Sequence, residues 1–125
     1  MSKKRNTNTT RSQRQLRVGE EIRHVLSEMF TRGEVHDSAL SGKVITVSEV
    51  RMSPDLRHAT CFVMPLGGED LEEVLEGLKR AAPYLRGEVG RRVQLRLTPE
   101  LAFKADPGFD HAERISTLLR DADGR

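Results

Sequence analysis

The sequence has one cysteine, Cys61, so no intrachain disulfide can form, and a reducing, cytoplasmic setting is expected. It has no tryptophan, one tyrosine and four phenylalanines. So few rings argue against a protein that grips single-stranded nucleic acid by stacking its bases. No apolar run approaches the ~20 residues that a membrane-spanning helix needs, so no membrane partner is expected. The opening segment, MSKKRNTNTTRSQRQ, is basic but lacks the apolar centre of a secretory signal. His24, His36, His58 and His111 stand at no metal-ligand spacing, and Cys61 has no companion, so neither a metal nor another cofactor is expected. No phosphate-binding loop or nucleophile elbow is present. The neighbouring acids Glu20-Glu21 and Glu72-Glu73 point to different sides of a helix and make poor acid–base pairs. Catalysis is therefore not expected.

What the chain does have is strongly segregated charge. Its 125 residues suffice for one self-supporting domain, and the net charge is only +2. Residues 1–17 carry Lys3, Lys4, Arg5, Arg11, Arg14 and Arg17 without an acid. Residues 69–76 carry five acids without a base, and residues 79–96 carry six Lys/Arg against Glu88 alone. Such alternation suits one face turned to a polyanion and another left solvated.

Residues 1–12 are too polar to bury themselves and read as a basic tail. A domain is expected over residues 13–120, with a frayed end at 121–125. Val18, Ile22, Val25 and Met29, with Leu26 and Phe30 alongside, predict a helix over 13–32 that stops at Gly33. Val44–Met52 and Leu56–Met64 predict two antiparallel strands joined by the Ser53-Pro54-Asp55 turn. The apolar phase slips between Val47 and Val50, which predicts a bulge near Ser48-Glu49.

Asp70 and Glu73 form a potential capping box for a helix whose stripe is Leu71, Val74, Leu75, Leu78 and Ala82. Pro83 predicts a kink or a new helix from Tyr84 to about Gly90, with Gly90 as its stop. The alternation in Val93–Phe103 predicts a third strand, with Pro99 ending regular pairing or marking an edge. Asp110, Glu113, Ile115, Leu118 and Leu119 predict a last helix. The expected fold is α+β, in the order α-β-β-α-α-β plus a C-terminal helix, with helices covering one face of a three-stranded sheet.

The sharper functional signal is the basic run beside the Ala81-Ala82-Pro83 junction. Arg86, Arg91 and Arg92 are the expected phosphate contacts, supported by Lys79, Arg80, Arg14 and Arg17, because arginine grips phosphate through a planar fork. Reversing Arg91 and Arg92 to glutamate is expected to weaken RNA binding and leave the fold intact. Gly87-Glu88-Val89-Gly90 matches a GxxG backbone clamp in letters, but it lies too close to the third strand and sets Glu88 against phosphate. Another class of function remains open: an adaptor that docks a basic partner through the acidic helix 69–76.

RSQRQLRVGEEIRHVLSEMF, VITVSEVRMSPDLRHATCFV, RVQLRLTPELAFKAD and ERISTLL, in this order and spacing, resemble the ribosome-binding factor A family over about residues 11–120. The resemblance implies a type II KH-like domain that binds the free small ribosomal subunit and its 16S rRNA. It implies a non-catalytic role in late small-subunit maturation, including processing at the rRNA 5′ end, and support of growth in the cold. The family's interhelical kink has an Ala-x-Gly pattern. Ala81, Ala82 and Pro83 stand at those positions, with proline in place of the glycine. A cytoplasmic monomer is expected.

Overall fold

The computed structural model describes residues 11–66 and 70–108. Its elements run α1 (Gln13–Thr31), β1 (Ile45–Met52), β2 (His58–Pro65), α2 (Leu71–Arg92) and β3 (Glu100–Ala105). The expected capping pair Asp110–Glu113 and the last helix, like most of the basic tail, lie outside the described residues.

Ser12 and Gln15 open α1 with a reciprocal capping box, and the Gln15 side chain also donates to the Met52 carbonyl at 3.0 Å. The stripe Val18, Ile22, Leu26 and Met29 is buried, with Val25 and Phe30 half-buried beside it. Gly19 faces the sheet so closely that a Cβ there would strike the backbone carbonyl of Val50. Gly33 ends the helix region at φ 69°, a conformation glycine adopts without penalty.

β1 pairs antiparallel with β2, and the register shifts between Val47 and Glu49, where the phase slip predicts it. The bulge lets both Val47 and Val50 enter the core. β2 starts later than the sequence suggests because residues 53–57 form a tight turn. Leu56 takes φ 61°, and Asp55 accepts from the Ser53 hydroxyl and the Arg57 N–H.

The expected helix pair is instead one helix. α2 runs through Pro83, so no new helix opens at Tyr84, and the described order is α-β-β-α-β. Pro83 is exposed, and without an N–H it cannot make the helix bond to the Lys79 carbonyl. Leu78, Ala81, Leu85 and Val89 form one buried stripe across it, and that packing outweighs the proline's local cost.

Gly90 is not the stop either, since the helix continues to Arg92. Its missing side chain makes room for Thr98, whose hydroxyl would lie 2.8 Å from a Cβ. The capping box at Asp70 does not form. Asp70 sits at φ 61° with no side-chain cap, and its carboxylate pairs with Lys43 at 3.2 Å.

The third strand also departs from expectation: Val93–Pro99 is irregular, and β3 begins only at Glu100. It pairs in parallel with β2, His58 opposite Glu100 through Val63 opposite Ala105. A parallel neighbour needs a crossover, which α2 supplies. The sheet order is β1-β2-β3. Its buried face, including Val47, Val50, Met52, Ala59, Cys61 and Val63, packs with the helical stripes into one core.

Candidate nucleic-acid interface

Three segments converge around α1's N-terminal half: α1 itself, the turn between β1 and β2, and the irregular stretch after α2. One hollow of about 430 Å³ has Arg14, Arg17, Glu21, His24, Arg92 and Leu95 among its lining residues. A second, of about 450 Å³, includes Arg14, Asp55, Arg57, Leu95, Arg96 and Leu97. Arg14 and Leu95 belong to both, so the hollows adjoin, and together they make a groove with aliphatic walls and an arginine rim.

Arginine outnumbers carboxylate along this groove. Glu21 reaches Arg17 only at 4.0 Å. Asp55 is occupied by the Ser53 hydroxyl and the Arg57 backbone N–H, which together hold its carboxyl below the ordinary range. Arg14 and Arg96 make no ion pair or side-chain hydrogen bond among the described residues, and both are exposed. Such guanidinium groups are ready to take phosphate oxygens without first surrendering an internal partner.

The other expected contacts are dispersed by α2. Arg80 turns away from the groove and makes two bonds to Asp37, at 2.9 and 3.0 Å. That fork, aided by the Ala39 N–H, pulls the Asp37 carboxyl below its usual range. Arg86 donates to the carbonyls of Thr98 at 2.9 Å and Pro99 at 3.1 Å, binding the irregular stretch to the helix. Arg91 pairs with Glu88, and Arg92 reaches Glu88 at 3.0 Å and Glu34 at 3.1 Å. Lys79 lies on another side, in a hollow shared with Leu75, Ala82, Leu101 and Phe103.

The structure therefore brings Arg14, Arg17 and Arg92 together and separates Arg80, Arg86, Arg91 and Lys79 from that groove. Ala81 is buried, Ala82 half-buried beside β3 and Pro83 exposed, all within one helix. Arg57 and Arg96 enter the groove although sequence reasoning does not select them. Arg96 belongs to the basic run, but the strand reading gives it no particular place. Arg57 follows a turn whose geometry is not visible in residue order.

The GxxG segment is helical rather than a loop, and Glu88 is buried. Reversing Arg91 and Arg92 would crowd carboxylates around Glu88, so the expectation of an intact fold gives way to one of destabilisation. Glu72 and Glu73 stand in the first turn of α2, where they complement the helix dipole without requiring a basic partner. Cys61 is enclosed in the core, and burial pushes its thiol up to about 12, far from a reactive thiolate at neutral pH. Among the described residues, no cluster of His, Cys, Asp and Glu is placed to hold a metal ion. No described helix is long and apolar enough to cross a membrane.

The family model for ribosome-binding factor A matches residues 14–119. The chain belongs to the ribosome-binding factor A family. The ribosome-binding factor A of Bradyrhizobium diazoefficiens is 57% identical over 109 residues, covering 87% of this chain and 76% of that protein. The protein of the same name from Methylocella silvestris is 58% identical over 108 residues, covering 86% of this chain and 70% of its own.

Solved ribosome-binding factor A structures share the fold. The Thermus thermophilus crystal structure matches with TM-score 0.62 at 27% identity, covering 73% of this chain and 94% of that one. A Thermus thermophilus ribosome-binding factor A model fitted into a cryo-EM map of a 30S complex matches with TM-score 0.59 at 27% identity, covering 72% and 92%.

Proposed function

We propose that this protein is a non-catalytic binding factor for the free small ribosomal subunit, acting in late maturation and assisting 16S rRNA processing. The family match over residues 14–119 carries the proposal. The placement of a Thermus thermophilus relative in a 30S complex supports the choice of subunit. In this chain the arginine groove is the surface best suited to rRNA. Arg14, Arg17, Arg57, Arg92 and Arg96 would contact the phosphate backbone, with Lys79, Arg80, Arg86 and Arg91 outside the groove as secondary candidates.

The groove offers charge and aliphatic walls, with His24 its one ring among the lining residues, which suits the backbone and shape of structured RNA. Binding there would favour whichever rRNA conformation presents phosphates to the groove, and only to the extent of its differential affinity for that conformation. Co-sedimentation with purified small subunits tests the reading. Wild type should pellet with the subunit, and the Arg14→Glu, Arg96→Glu double variant should remain in the supernatant. Equal pelleting of both proteins would remove the groove from the binding surface.

A further inference from the structure

We infer that Glu34 competes internally with RNA phosphate for Arg92, so that filling the groove releases a latch between α2 and the segment after α1. This rests on the groove reading above. Among the described residues, Arg92 is the one groove arginine that is also ion-paired to the segment after α1, and it lines both the groove and a second hollow that includes Glu34 and Asp37. Its bonds to Glu34 and Glu88 both come from Nη2, at 3.1 and 3.0 Å.

A guanidinium has two edges that can hold a phosphate bidentately, the Nε–Nη2 edge and the Nη1–Nη2 edge, and each uses one Nη2 hydrogen. Nη2 has only two hydrogens, and here a carboxylate takes each. A bidentate grip on phosphate therefore requires Arg92 to give up one acid.

The acid it can give up most easily is Glu34. Glu88 is the more deeply enclosed, with its side chain 11% exposed against 28% for Glu34. Losing a partner costs more in the less solvated place. Glu34 also has a second cation within reach, Arg32 at 3.8 Å, while Glu88 keeps Arg91. The exchange leaves neither carboxylate without a counter-charge.

It does remove one of the two arginine ties between α2 and the segment after Gly33 among the described residues, and leaves the Arg80–Asp37 fork. Occupancy of the groove is thus reported as loosening around residues 34–37.

A double-mutant cycle tests this with a 16S rRNA transcript as the probe. Glu34→Gln should raise affinity about two- to fivefold, the scale of a partly exposed ion pair. In an Arg92→Gln background the same change should have no effect. In wild type, amide hydrogen exchange at residues 34–37 should accelerate when the transcript binds. An equal gain from Glu34→Gln with and without Arg92 would reveal a general charge effect and overturn the latch. So would unchanged exchange in wild type. If Arg14→Glu with Arg96→Glu weakens binding while Glu34→Gln changes nothing, the groove stands and the latch falls. If that double reversal is without effect, the groove reading fails first.

Discussion

Arg80, Arg86, Arg91 and Arg92 on α2 each reach an acid or a carbonyl of this chain, whereas Arg14 and Arg96 in the groove reach none among the described residues. The two sets look alike in sequence. They differ in how much each would lose by turning to an outside ligand. An arginine already held by a carboxylate must exchange one partner for another, while a solvated arginine exchanges water and counterions, whose release itself favours binding RNA. The contrast separates charge that holds the domain together from charge available to a partner, and Arg92 belongs to both.

The contrast breaks most readily at Glu88. Reversing Arg91 and Arg92 together should lower stability by about 3 kcal/mol in chemical denaturation, because an enclosed carboxylate would lose its cations and gain two like charges. An unchanged unfolding midpoint would show that these arginines do not hold the fold. Reversing Arg14 and Arg96 should do the opposite. Stability should stay within about 0.5 kcal/mol. Affinity for a 16S rRNA transcript should fall by roughly 30-fold, with the salt dependence shallower by about two counterions.

Arg86→Ala sharpens the middle of the comparison. Loss of two carbonyl bonds should cost about 1–2 kcal/mol of stability, since the Thr98 and Pro99 carbonyls lose a charged donor. RNA affinity should change less than threefold. A larger loss in folded protein would move Arg86 into the RNA-binding set.

The smallest effect belongs to Asp37, whose carboxyl is held below its ordinary 3.8 chiefly by Arg80. The unfolded chain takes up this proton more readily than the folded one. The stabilisation is therefore full above the ordinary value and is lost as pH falls through the lower folded value. Thermal unfolding of wild type and Asp37→Asn should differ near neutrality and converge in strong acid. A constant gap across that range would rule out this ionisation as its source.

The local parts of the fold were legible in the sequence. Apolar spacing placed α1, and the phase slip at Ser48-Glu49 disclosed the bulge before any pairing was known. The failures were cases where distant packing overruled a local signal. Pro83 is a strong breaker taken alone, but the stripe from Leu78 to Val89 is buried on both sides of it. Val93–Pro99 alternates like a strand, yet β3 pairs with β2 only from Glu100 onward.

The site was partly legible for the same reason. A basic run is visible in residue order, and so is Glu88 within it, but the acids that reach it from elsewhere in the chain are not. Asp37 lies 43 residues before Arg80, and Glu34 lies 58 residues before Arg92. Arg14 and Arg17 lie off the apolar stripe of α1, which marks them as outward-facing charge in residue order, but their approach to Arg92 is not visible there. Arg57 required the turn to fold before it could join them.

The close seat of Gly19 on β1 has a mechanical consequence for the groove. At that point α1 meets the sheet backbone to backbone, and one turn earlier the Gln15 side chain is bonded to the last residue of β1. The first contact involves no side chain that could change rotamer, and the second is a buried hydrogen bond from a side chain also held by the capping box with Ser12. Arg14, next to Gln15, therefore stands on a fixed jaw and keeps its distance from the β1–β2 turn that carries Arg57. For the rRNA proposed above, a fixed jaw of this kind would favour folds whose width already matches the groove.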